Sequence, residues 1–138
     1  MKTARNTLTQ KTMGYEGEAI TEMDGSQLSE GTYAGLCVLG KKYVGIGLCK
    51  QNGKLQFYTE VNGLREIHGT APKKAFLKIH AEGFLFRFFY STNGKEWREA
   101  GQQMDVRSAN WKGPRLGLYC YGNQGKAQFN YFRYQILK

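Results

Sequence analysis

The sequence predicts an all-β protein, a two-sheet antiparallel β-sandwich, on three observations. Eighteen glycines, helped by Pro72 and Pro114, cut the 138 residues into short runs. Those runs are rich in Tyr, Phe, Ile and Leu, which suit a pleated, half-buried surface. No window keeps apolar residues at i, i+3, i+4 and i+7 through several turns, so no amphipathic helix is expected.

Turn residues then divide the chain in order. Strands are expected over Glu18–Met23, Thr32–Leu39, Tyr43–Lys50, Lys54–Val61, Leu64–His68 and Ala75–Ala81, then over Phe84–Ser91, Trp97–Ala100, Arg115–Tyr121 and Lys126–Leu137. Three joins carry Asn-Gly: Asn52-Gly53, Asn62-Gly63 and Asn93-Gly94. Each pair supplies the two positive-φ positions of a type I′ hairpin turn. Alternation places Phe84, Phe86, Phe88 and Tyr90 on one face of their strand and Leu85, Arg87 and Phe89 on the other. Bulk on both faces favours two packed layers over a single sheet with one wet side. Gln102–Lys112 shows no strand pattern and reads as a long surface loop, a common carrier of function. One domain over residues 1–138 is expected, with no internal repeat.

Composition narrows the function classes. The longest uncharged stretches, Gly31–Gly40 and Leu116–Gly125, are too short to span a bilayer, and the first residues have no apolar segment typical of a secretory signal. Neither a membrane protein nor a secreted precursor is expected. Cys37, Cys49 and Cys120 form no C-x-x-C, and with only His68 and His80 beside them they assemble no zinc spacing. They read as buried, inert thiols in a reducing, cytoplasmic compartment. No metal or other cofactor is expected.

Hydrolysis of a glycosidic bond needs two opposed carboxylates on a rigid frame. The eleven Asp and Glu residues are scattered, mostly beside turns or at outward strand positions, where charges are normally solvated. G-x-S-x-G, P-loop and H-E-x-x-H patterns are all missing, and Gly45-Ile46-Gly47 lies inside a strand with no helix after it. His68 and His80 read as packing or surface residues. The net charge of +9 could steer a polyanion. However, Glu82–Phe89 meets only part of the RNA-recognition pattern, with Glu82 where a phosphate contact is wanted. A basic nucleic-acid-binding β domain therefore stands as an alternative, and a ligand-free structural or oligomerisation module as another. Aromatic residues make up 14% of the chain, and exposed rings can stack on sugar C–H faces. Trp111 is the first candidate, because it lies in the loop between Asn110 and Lys112, where no alternation requires burial. Tyr121 and Tyr58 follow it.

Four blocks resemble one family. Arg5-Asn6-Thr7-Leu8-Thr9-Gln10-Lys11-Thr12, followed by Gly31-Thr32-Tyr33-Ala34-Gly35-Leu36, is similar to A-R-N-T-L-T-Q-R-T…G-D-Y-A-G-L. That pattern marks the C-terminal domain of family 43 glycoside hydrolases, the β-xylosidase and α-L-arabinofuranosidase group. Phe88–Trp97 resembles its F-x-Y-S-x-D-G-x-x-W hairpin, and Gly125–Phe132 its closing G-x-A-D-F-D-Y-F strand. The resemblance implies a concanavalin A-like jelly roll, here lacking the first strands of the family sandwich. Exposed apolar edges and self-association would then be favoured. It also implies a non-catalytic accessory domain that docks on a catalytic propeller or contacts xylo- or arabino-oligosaccharides. In the family, one loop brings an aromatic near the sugar pocket, and Trp111 of Trp111-Lys112-Gly113 matches it. Thr32, Gln128 and Asn130 replace three of the family's aspartates, which weakens any metal role and makes the surface more basic.

Overall fold

The computed structural model describes residues 6–11, 16–39, 43–82, 85–105, 115–122 and 126–136. Eleven strands cover most of them: β1 (Asn6–Lys11), β2 (Glu16–Asp24), β3 (Thr32–Leu39), β4 (Tyr43–Gln51), β5 (Lys54–Val61), β6 (Leu64–Thr70), β7 (Lys74–Glu82), β8 (Leu85–Ser91), β9 (Arg98–Asp105), β10 (Arg115–Gly122) and β11 (Gln128–Ile136). They form a six-stranded sheet, ordered β1-β10-β3-β4-β5-β6, and a five-stranded sheet, ordered β11-β2-β7-β8-β9. Every recorded pairing is antiparallel. The expected all-β sandwich is what the chain forms, and the described residues contain no helix long and apolar enough to cross a membrane.

Alternation decides what enters the core. From the six-stranded sheet come Leu36, Val38, Ile46, Leu48 and Phe57, and from the other Ala19, Met23, Leu77, Ile79, Phe86 and Phe88. All are essentially buried. Each large side chain withdrawn from water contributes roughly 1.5–3 kcal/mol, which offsets the entropy of ordering the strands. On β8, Phe86 and Phe88 face in while Leu85 and Arg87 are exposed, as expected. Phe84 lies outside the described residues.

Two of the three Asn-Gly joins form the expected hairpins. Asn52 and Gly53 have φ of 54° and 75°, and Asn62 and Gly63 of 49° and 91°. The third differs: only Gly94 has positive φ, at 77°. There the Asn93 side chain accepts the backbone N–H groups of Lys95 and Glu96, and Ser91 Oγ accepts those of Asn93 and Gly94. Side-chain acceptors therefore shape a longer connection than a two-residue turn.

Other differences concern the strand map. Asn6–Lys11 forms edge strand β1 beside β10, although its sequence carried no strand signal. The loop expected from Gln102 begins later, because β9 continues through Asp105. The remainder of that loop, with Trp111, lies outside the described residues. Across the layers β4 packs against β8, and β5 against β9. Since β9 ends its sheet, β6 projects beyond the layer opposite.

Candidate functional site

Tyr58 and Tyr121 lie on the outer face of the six-stranded sheet, turned away from the core. Register explains the arrangement. Tyr119 of β10, Gly35 of β3, Gly47 of β4 and Tyr58 of β5 stand side by side in one row. The glycines leave a trough, and the two tyrosine hydroxyls hydrogen-bond across the sheet. A Cβ on Gly35 would fall 2.1 Å from the Ile46 carbonyl oxygen. One on Gly47 would fall 2.1 Å from the Ala34 carbonyl oxygen and 2.9 Å from the Tyr119 hydroxyl. Only glycine lets these backbones and rings approach so closely.

A charged circuit continues the tyrosine row. Tyr33 meets Tyr58 edge-on, with centroids 5.3 Å apart, and stacks on Tyr121 at 5.5 Å. The Arg65 guanidinium lies 3.9 Å from the Tyr33 ring centroid. Its Nη2 donates to the Tyr121 hydroxyl at 3.1 Å, and its Nε stands 3.4 Å from Glu60 Oε1. The Tyr121 hydroxyl donates to that same carboxylate oxygen. Glu60 is only 4% exposed, an exception to the expectation that the carboxylates are mostly solvated. A buried carboxylate is tolerable when a cation and a hydroxyl satisfy it.

The surroundings hold the Tyr121 phenol neutral and the Arg65 guanidinium charged. Burial first, and then the hydrogen bond to Glu60, push the Tyr121 phenol up to about 12. Burial opposes the Arg65 charge, but the hydrogen bond to Tyr121 and the electrostatic interactions with Tyr121, Tyr33 and Glu60 outweigh it and raise its pKa. Burial pushes the Cys37 thiol up to about 12 and the Cys49 thiol to about 11. Both are protonated and inert near neutral pH. Cys120, which like the other two forms no disulfide with them, is only half-buried.

The cluster is thus satisfied from within, and its chemistry is structural: it ties β10, β3, β5 and β6 together. Tyr58 is fully buried and Tyr121 is 8% exposed, so neither presents an open ring face to a sugar. Their expected contact role meets this obstacle. Glu60, Arg65, Tyr33 and Tyr119 were not singled out by sequence. One signal for them existed: the Asn62-Gly63 turn fixes a register that sets Glu60 opposite Arg65.

The outer face of the five-stranded sheet carries a different network. His80 places Nε2 3.1 Å from Glu16 Oε2 and Nδ1 3.1 Å from Glu18 Oε2. Lys78 Nζ lies 3.8 Å from Glu18 and over the rings of Phe89 and Trp97. Ligand atoms of Glu16, His80 and Glu82 fall within 4.8 Å of one another. Exposed acidic groups commonly gather this way, and here the imidazole already engages two carboxylates. Arg87 binds Glu99 through two hydrogen bonds, of 2.9 and 2.8 Å.

Comparison with known proteins places this geometry. The sequence pattern of the β-xylosidase C-terminal concanavalin A-like domain matches residues 1–135. A putative β-xylosidase of Xylanibacter ruminicola is 32% identical over 129 residues, which are 91% of this chain and 24% of that protein. A β-xylosidase of Formosa agariphila is 25% identical over 130 residues, 91% of this chain and 22% of that one. The chain thus spans about a quarter of the length of the curated relatives it matches. Among solved structures, a bifunctional GH43-CE protein of Bacteroides eggerthii superposes with a TM-score of 0.86 at 25% identity, covering 96% of this chain and 19% of that one. The family 43 protein BlXynB of Bacillus licheniformis gives 0.78 at 24% identity, covering 96% and 30%. The chain belongs to the family of β-xylosidase C-terminal concanavalin A-like domains, the accompanying sandwich of family 43 glycoside hydrolases.

Proposed function

We propose that this sandwich is a non-catalytic accessory domain of a family 43 xylosidase or arabinosidase, bearing against the catalytic domain and contacting plant-cell-wall carbohydrate. The family match over nearly the whole chain carries the reading. The state of the carboxylates supports it. Glu60 is bound by Arg65 and Tyr121, Glu99 by Arg87, and Glu16 and Glu18 by His80. None of these is arranged with a second carboxylate across an open pocket, as acid–base hydrolysis of a glycoside needs. With Tyr58 and Tyr121 enclosed, Trp111 remains the ring for sugar or active-site contact.

Two assays on the purified chain test the reading. Incubation with aryl β-xyloside and aryl α-arabinofuranoside should release no more phenol than a blank. Titration with xylo- and arabino-oligosaccharides should shift the Trp111 indole N–H, with little dependence on salt. Turnover by the chain alone would overturn the non-catalytic role. A steep loss of affinity with salt would favour a polyanion ligand instead.

A further inference from the structure

We propose that the hollow beneath overhanging strand β6 is a second carbohydrate site, built to hold a neutral, hydroxyl-rich sugar unit against His68, Tyr90 and Arg98. The ligand class rests on the accessory-domain reading above; the site rests on geometry.

Both edge strands are irregular here. In the β5–β6 ladder Phe57 faces Gly69 and Tyr58 faces Ile67, so His68 is an extra, unpaired residue. In the β8–β9 ladder Phe86 faces Met104 and Phe88 faces Ala100, so β9 also bulges around Gly101. Bulges at sheet edges re-aim side chains. This one brings His68 to the mouth of the sandwich, where its Nε2 lies 2.7 Å from Thr59 Oγ1. The imidazole stands between two adjoining hollows of about 400 and 510 Å³, each within the range of small-molecule sites, about 300–1,000 Å³.

Chemistry selects the occupant. The first hollow has an apolar base, Phe57 and Tyr90, whose ring centroids lie 4.3 Å apart. Its rim offers both donors and acceptors: Arg98, Glu96 and the Thr70 and Thr92 hydroxyls. His68 Nδ1, the Tyr90 hydroxyl and the Arg98 guanidinium have no protein partner among the described residues. Donors and acceptors together with an aromatic base suit a ring of hydroxyls with apolar C–H faces. Glu96 and Arg98 cancel in charge, and Glu66 makes the second hollow acidic. Despite the chain's net charge of +9, this place disfavours phosphates and nucleic acids.

Calorimetry with xylotetraose and arabinotetraose on the whole chain, paired with NMR of its side chains, tests the site. Wild-type protein should show saturable shifts of the His68 and Tyr90 ring protons, unchanged by added salt. His68→Ala and Arg98→Ala should each weaken affinity at least tenfold, whereas Trp111→Ala should leave the groove signals in place. Arg98 has no side-chain partner among the described residues, so its variant keeps the test valid even if His68→Ala disturbs the bulge. Shifts confined to Trp111, or wild-type affinity in both groove variants, would remove the groove and leave the accessory-domain reading standing. No shift with either sugar would also remove it. Hydrolysis by the chain alone would instead strike the reading on which the ligand class rests.

Discussion

The two outer faces of the sandwich solve opposite problems. On the six-stranded sheet, Cys37, Cys49, Tyr58, Tyr119 and Tyr121 are buried although they point away from the core. Their polar atoms close on one another, and Arg65 lies across the Tyr33 ring. On the five-stranded sheet, Glu16, Glu18, Lys78, His80, Arg87 and Glu99 carry ion pairs at positions that keep contact with water. The same alternation rule produces both outer faces. What differs is the neighbour: glycine at positions 35 and 47 lets rings settle onto one sheet, while charged residues across from one another keep the second sheet wet. An outward strand position is therefore no guarantee of exposure.

The comparison breaks most severely at the glycine trough. Gly47→Val should destabilise the protein by about 3 kcal/mol or more, because its Cβ meets backbone oxygen at 2.1 Å. A thermal melt should show Tm lower by roughly 10 °C or more; an unchanged Tm would mean the two strands do not approach this closely. Next comes the charged circuit. Arg65→Ala leaves the Glu60 carboxylate nearly buried without its cation and should cost about 1–3 kcal/mol in urea unfolding. Arg65→Lys should recover only part of that, since an ammonium cannot both stack on Tyr33 and donate in a planar fork.

Alkaline pH tests the same face as a whole. Tyr121, Cys37 and Cys49 all have folded-state pKa values above their ordinary 10.0, 9.0 and 9.0. Each therefore favours the protonated native state. Their contribution should be complete below about pH 9 and fall away as pH rises towards about 12. Denaturant midpoints measured across that window should decline, and Tyr121→Phe should remove part of the decline.

The smallest effect belongs to the wet face. The Arg87 hydrogen bonds hold Glu99 below its ordinary 4.5. Any stability from that pair exists above pH 4.5 and is lost as pH falls through the depressed value. At neutral pH, Arg87→Ala should leave Tm nearly unchanged, as exposed ion pairs contribute little. A large drop would show that the two faces are not so different.

Local punctuation made much of the fold legible. Gly31, Asn52-Gly53 and Asn62-Gly63 bound β3 and β5, and both strands run over the residues expected, Thr32–Leu39 and Lys54–Val61. β1 escaped because Asn-Thr-Leu-Thr-Gln-Lys has no apolar face, and only pairing with β10, more than a hundred residues later, makes it a strand. Glu60 escaped for a similar reason: the hydroxyl that satisfies it comes from Tyr121, 61 residues away. Asn93-Gly94 misled because the same dipeptide serves a turn held by side chains. His68 was visible as a residue, but not as a bulge, which exists only once two strands are in register. The family blocks were legible because they are contiguous; the groove was not, because its walls come from two sheets.

The central claim is that the outer face of the six-stranded sheet is closed. Thiol labelling with iodoacetamide at neutral pH, mapped by mass spectrometry, tests this most directly. The account predicts that Cys37 and Cys49 stay unmodified in the native protein and that all three cysteines react once it is unfolded in urea. Rapid native-state labelling of Cys37 or Cys49 would contradict it and return Tyr58 and Tyr121 to the list of surfaces open to a ligand.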